Sequence, residues 1–326
     1  MFGALLGVVA LVSGLSIGVI GFIGQSADDG VRQGLESRAG ADRALRASLA
    51  LDADAARQDA EVRAAIRRSF PGIRVDVDRT VGARVDIARI DDGVAANSRR
   101  VQVVSIGDLP ERASLVEGAW PTGPGEVSLQ ADGAELLGIG AGDRVRIGDA
   151  YAVVAGTWRV DDALDPRWMG DPLVTNGADG VDVGLVVVDE SLWPQLDTDP
   201  RARWTLVPDP ATVSARDLAP IVAEWNRIGT EWRGQVNSQL ITLEKQGRFK
   251  RSAIELGTRV DGLQAIQPVV LLLLAAIALV TLAELGRLLT TTRAPEIALL
   301  WSRGASALDV ARSTAAEVAV ATGTGA

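Results

Sequence analysis

Two apolar runs, one at each end of the chain, limit what it can fold into. From Met1 to Ala27 there is no charged side chain, and from Pro268 to Leu285 the only one is Glu284. A helix rises ~1.5 Å per residue, so about 20 apolar residues cross a hydrocarbon core of ~30 Å. Residues 2–23 and 268–285 are both near that length, and each is expected to form a transmembrane helix. A cleaved signal peptide is the rival reading of the first run. Against it, there is no positive segment before the apolar stretch, and Gln25-Ser26-Ala27 is a poor cleavage site.

Short loops rich in Lys and Arg stay in the cytoplasm, whereas long domains cross largely regardless of charge. The segment after the second run carries Arg287, Arg293, Arg303 and Arg312 against Glu296 and Asp309, which puts it inside. Two spans then place residues 28–267 outside. That stretch holds 29 of the 33 basic and 38 of the 42 acidic residues, so it carries the whole acidic excess of a chain with net charge −9.

Composition also excludes chemistry. The sequence has no Cys and no His, which removes thiol nucleophiles, disulfides, imidazole metal ligands and the usual general base near neutral pH. No catalytic residue, cofactor or metal site is expected. A membrane-bound hydrolase would have to rely on acids such as the pair Asp161-Asp162, which has no nucleophile or base near it in sequence. All the basic residues but Lys245 and Lys250 are arginine, but they are scattered among acids, so nucleic acid is not an expected partner.

The exterior stretch reads as two kinds of text. Residues 31–38 continue the first helix, 43–51 suggest a strand, and 52–70 suggest a helix stopped by Pro71-Gly72. Residues 73–90 alternate Val75, Val77, Val81, Val85 and Ile87 with polar residues, the period of a half-buried strand or hairpin. The middle is richer in strands: 101–106, 126–130, 143–147, 151–160, 181–188 and 204–207, with a short helix at 131–137 and another helix at 214–228. Gly138-Ile-Gly140-Ala-Gly142-Asp143 follows a helix and precedes a strand. That is the wrong order for a phosphate-binding loop and the right one for a tight turn entering a small barrel.

The loop Leu164-Asp-Pro-Arg-Trp168-Met169-Gly-Asp-Pro172 is a candidate site. Trp168 and Met169 at an exposed tip would meet a ligand or partner, while a Trp folded under its own loop would serve packing. Further on, Phe249, Ala253, Leu256, Val260 and Leu263 form a heptad stripe. It fits either a stalk leading into the second span or an amphipathic helix packed on the domain.

The expected fold class is therefore α+β. It is a membrane protein with two full transmembrane helices, a mixed α/β plus small β-barrel-like extracytoplasmic domain, and an incomplete third span. The first helix occupies 1–27 and the exterior domain 28–267. Within that domain an α/β part (28–100 and 201–235) surrounds a β-rich insertion (101–200), and a stalk follows at 236–267. The second helix is 268–286, an inside loop 287–314, and the start of a third span 315–326, whose shortness suggests a fragment.

In the inside loop, Pro295 suits a first helical position and Glu296 the positive end of the helix dipole. Ile297, Leu300 and Trp301 fall on one face, and Gly304 stops the helix. Such a helix suits either a groove on another protein or the headgroup layer of the membrane. Glu284, within a turn of Arg287, is expected to reach the interface and pair there.

The run Arg293-Ala-Pro-Glu296-Ile297-Ala-Leu-Leu-Trp301-Ser-Arg303-Gly304-Ala-Ser306-Ala-Leu-Asp309-Val310 resembles the loop before the next span in the FtsX-like permease family. Val116-Glu-Gly118-Ala-Trp120-Pro121, Gly125-Glu126-Val127 and Leu137-Gly-Ile-Gly140-Ala-Gly142-Asp143 resemble the exterior core domain of its macrolide-exporter and lipoprotein-releasing members. The resemblance implies the non-catalytic permease subunit of an ABC system in a bacterial plasma membrane. A cytosolic ATPase would be its partner, and a second permease half or a second copy would pair with it. Glu296, Ile297, Leu300, Trp301, Arg303 and Gly304 would form the coupling contact, with Trp301 standing where a small or basic residue is more usual. Movement of the exterior domain would serve export, lipoprotein release or mechanotransmission. The alternative is a membrane-tethered binding or scaffold module that regulates a cell-envelope enzyme.

Overall fold

The computed structural model describes residues 2–91, 94–95, 98–235 and 244–302. They fall into two compact units, Asp28–Thr258 and a helical unit made of residues 2–27 with residues 259–302. In chain order the elements are α1 (Phe2–Glu36), α2 (Gly40–Arg43), β1 (Leu45–Ala50), α3 (Ala55–Ser69), β2 (Val75–Asp91), β3 (Val94–Ala95) and β4 (Arg99–Ile106). There follow β5 (Ala113–Gly118), β6 (Glu126–Gln130), α4 (Ala131–Leu137), β7 (Arg144–Ile147), β8 (Ala150–Val160), α5 (Pro172–Thr175) and β9 (Leu185–Val187). The last are β10 (Arg201–Pro208), α6 (Leu218–Gln235), β11 (Glu244–Gln246), α7 (Phe249–Gln264) and α8 (Gln267–Ser302).

The domain is mixed α/β, and its first part is a helix-covered sheet in the order β11-β1-β10-β2. Alternation assigns the two faces. Ala47, Leu49, Ala202, Trp204 and Leu206 are buried. On the helices, Val62, Ala65 and Ile66 of α3 and Ile221 and Trp225 of α6 are buried as well. The Trp204 Nε1–H donates to Asp59 Oδ1 at 2.8 Å, and Gln58 Nε2 donates to the Ala50 carbonyl at 2.8 Å, fixing α3 to the sheet. Asp54 starts α3 by accepting the Arg57 N–H at 3.0 Å. The other face is polar. Arg46 lies opposite Thr205, which lies opposite Asp78, and Ser48 opposite Arg203, which lies opposite Thr80.

The second part is a closed circuit of strand pairs. β2 pairs β4, β4 pairs β9, β9 pairs β6, β6 pairs β8, β8 pairs β7, and β7 returns to β2. The inward residues follow from the register: Ala83, Val85, Ile87, Val101, Val103, Val127, Leu129, Val145, Ile147, Ala152, Val154 and Val186. All are buried. Mostly β-branched, they suit a small circuit whose interior side chains alone must fill. β2 is one unbroken strand of 17 residues, and no hairpin interrupts it. Its first half pairs β10 in the open sheet and its second half pairs β4 and β7 in the circuit. The circuit therefore draws one wall from residues before 101.

α4 is short and sharply bounded. The Gln130 carboxamide oxygen accepts the Gly133 N–H at 2.8 Å, and Gly138 ends the helix with φ of 67°. The expected strand over 181–188 is reduced to Leu185–Val187. Gly180 and Gly184, with φ of 88° and 89°, bend the preceding residues away from extended geometry, and Val181 is 77 % exposed. In α7 the stripe residues Phe249, Ala253 and Leu256 are buried. Leu256 lies against Gly34 of α1, where an added Cβ would come within 2.5 Å of Leu256 Cδ2. Arg38 pairs with Glu255 at 2.9 Å beside it. This half of the stripe packs within the domain.

Candidate functional site

The two candidate sites fare differently. The backbone of Glu296, Ile297, Leu300 and Trp301 lies in α8, which runs unbroken from Gln267 to Ser302. A separate helix beginning at Pro295 is not what forms: the proline sits inside α8. Between Arg287 and Ala294 there is no Gly, Asn or Asp to supply a left-handed helix end, so the helix has no local signal to stop before the proline. Arg303, Gly304 and residues 305–326, including the expected third span, lie outside the described residues. Glu284 and Arg287 face one another along α8 at 3.8 Å.

Trp168 is not an exposed tip. It is 4 % exposed and packs in an apolar cluster with Leu109, Trp158, Leu173, Val174 and Val187. The cluster forms because Val104, Val187 and Trp158 point outward from the circuit and need cover. Residues 162–175 provide it, held in shape by two aspartate caps. Asp165 accepts the Arg167 N–H at 2.9 Å, and Asp171 accepts the Leu173 N–H at 3.0 Å. Met169 takes a left-handed conformation, φ 55°, and turns the chain between the capped segments. The exposed apolar side chain of this loop is Leu164, at 71 %.

The underside of the loop is pinned to the polar face of the open sheet. Arg46 Nε donates to Thr205 Oγ1 at 3.1 Å, and its Nη2 donates to the Arg167 carbonyl at 3.1 Å. Burial, with Arg203 nearby, lowers the Arg46 pKa to about 10, so the guanidinium remains charged at neutral pH. Sequence reasoning named Trp168 and missed Arg46. Its position in a predicted strand, on the face opposite Leu45 and Ala47, was the available signal. The pair Asp161-Asp162 is used structurally: Asp161 ties the end of β8 to β5 by accepting from Ser114 Oγ at 2.6 Å, and Asp162 closes a turn by accepting the Leu164 N–H at 2.8 Å. Among the described residues, no group of three or more acids could hold a metal ion.

One stretch of the described chain, Phe249–Glu284, is long and apolar enough to cross a membrane by length and composition. No family model matches the sequence, and no curated protein matches it. Among solved structures the chain is similar to the periplasmic region of MacB from Actinobacillus actinomycetemcomitans. The likeness has 10 % identity and a TM-score of 0.38, over 67 % of this chain and 94 % of that one. At that TM-score it carries no argument about this chain's function, and no residue role is transferred from it.

Proposed function

We propose that the chain is the membrane subunit of an ABC transporter of the FtsX-like type, with residues 28–267 outside the cell and the loop 287–314 inside. A partner ATPase would hydrolyse ATP and dock against the segment around Glu296–Gly304. One observation carries the reading: a domain with its own core is inserted between two apolar helical segments, the second followed by a short arginine-bearing stretch. Leu15, Ile17 and Phe22 of α1 and Leu272, Leu273 and Ile277 of α8 are exposed in the helical unit, as lipid-facing residues would be. The absence of His and Cys agrees with a subunit that transmits motion and leaves the chemistry to its partner.

Two experiments test this. Cysteines introduced at Glu135, which is exposed, and at Ser302 are treated in intact cells with a membrane-impermeant thiol reagent. Labelling at 135 and protection at 302 are expected, and the reverse pattern ends the proposal. Leu300→Asp with Trp301→Asp is then expected to abolish recovery of a nucleoside-triphosphatase with the purified chain. Unchanged recovery, or no such partner with the native chain, favours the tethered scaffold module.

A further inference from the structure

Val75 to Arg79, the first residues of β2, have a neighbouring strand on one side only. They pair with β10, whereas β4 begins its pairing at Thr80. The Asp209 N–H donates to the Arg74 carbonyl at 2.8 Å, in the register that sets Val75 against Pro208. Main-chain bonding alternates residue by residue along an antiparallel pair. Arg74, Asp76 and Asp78 therefore turn their N–H and C=O groups towards β10, and Val75 and Val77 turn theirs the other way. Pro208, which has no N–H to give, stands opposite Val75, as this alternation allows. Arg63 of α3 agrees with it: its Nη1 donates to the Val77 carbonyl at 2.9 Å from outside the sheet.

There is room beside this open edge. A cavity of about 250 Å³ lies between it and α3, lined by Arg63, Ile66, Arg67 and Phe70 on one side and by Val75 and Val77 on the other. It forms because α3 ends at Phe70 and the turn at Gly72, with φ of 80°, brings the chain back as β2. Arg63 is paired with Asp59 at 2.8 Å. Arg67 is exposed and makes no ion pair among the described residues. Asp76, the acid in the lining, alternates to the other face of the strand and lies 3.5 Å from Arg167.

Main-chain groups left open at a strand's spacing are completed by another strand, and an arginine without an anion beside them by a carboxylate. A second copy of this edge is a poor match, since antiparallel pairing about Asp76, Val77 or Asp78 sets Asp against Asp. We infer that β2 accepts here, as an added strand, an extended acidic segment of a partner protein. Its backbone bonds to Val75 and Val77, and one of its carboxylates meets Arg67. The Val77 carbonyl has two lone pairs and serves both Arg63 and the new strand. The inference does not depend on the transporter reading.

The test is hydrogen exchange at single-amide resolution on the full chain in lipid nanodiscs. Without peptide, the amides of Asp76 and Asp78 should exchange slowly and those of Val75 and Val77 fast. The probe is the acetylated, amidated heptapeptide Thr-Val-Glu-Val-Glu-Val-Thr. It is expected to slow exchange at Val75 and Val77 saturably, while the same peptide N-methylated at every residue does not. The counterpart with Lys in place of both Glu residues should bind about 2- to 5-fold more weakly, the size of an exposed ion pair. Arg67→Glu, a surface substitution, is expected to reverse that order. No saturable protection, equal protection by the methylated peptide, protection confined to β5 or β11, or an unchanged order in Arg67→Glu overturns the inference. The three-peptide comparison on the native chain decides the matter even where the variant fails to fold.

Discussion

The inside and the outside of the strand circuit are built from the same six strands and are packed by different rules. Inward positions are filled by Val, Ile, Leu and Ala, buried without polar atoms to satisfy, apart from residues at the ends. Outward positions carry Trp158, Val104 and Val187, covered by a loop with Trp168, and there the indole N–H of Trp158 and the hydroxyl of Ser128 are buried without partners. A closed ring leaves its core no way to collapse, whereas a loop laid over a sheet can settle into a vacancy. Stability is therefore concentrated inside, and tolerance for cavities and unmet polar groups outside.

The largest effect expected from this contrast is that of Leu129→Ala, which empties the ring interior. Its cost should approach ~5 kcal/mol, the upper end for such truncations, in chemical denaturation of the full chain. Trp168→Ala removes more atoms, yet should cost about 3 kcal/mol because the loop can close over the gap. If Trp168→Ala costs as much as Leu129→Ala, the outer layer is as rigid as the ring and the contrast fails. Gly177→Ala should cost about 1–3 kcal/mol in the same assay. Its φ is 72°, and a Cβ there would stand 2.1 Å from the Gly133 nitrogen, so the loop behind Trp168 would be pushed off α4.

The smallest effect concerns pH. Asp132 is paired with Arg159 at 2.5 Å and accepts from Gln130 at 2.9 Å, and both contacts lower its carboxyl pKa. A carboxyl lowered by folding contributes stability above its unfolded pKa and loses it as pH falls through the folded value. Thermal melting of Asp132→Asn should therefore differ from the native chain at neutral pH and converge with it in acid. The difference should be small, because the pair is partly solvated. A difference that widens in acid would reverse the assignment.

Much of this was readable beforehand, and for local reasons. The elements β1, β4, β6, β7, β8 and α4 follow from alternation and from turn residues such as Gly138, whose left-handed φ ends α4. The circuit itself was not readable in the same way. Alternation says that Val103 and Val186 are inward but not that they face each other across a parallel pair, since that pairing joins residues some eighty positions apart. Trp168 was legible as a special residue and not as a buried one. Its environment depends on Trp158 and Leu109, which come from other elements. Pro295 misled for the opposite reason: it is a strong local signal, but it has no helix-ending residue ahead of it to act with.

The double membership of β2 has a practical corollary for anyone wishing to move parts of this molecule between hosts. A piece cut at residues 99 and 200 leaves behind the strand that β4 and β7 bond to, so both would present raw edges to solvent and invite aggregation. The smallest transplantable piece must start before Val75, and it then brings along the edge that β10 occupies. Modular as it looks in the sequence, the insertion is not separable from its surroundings.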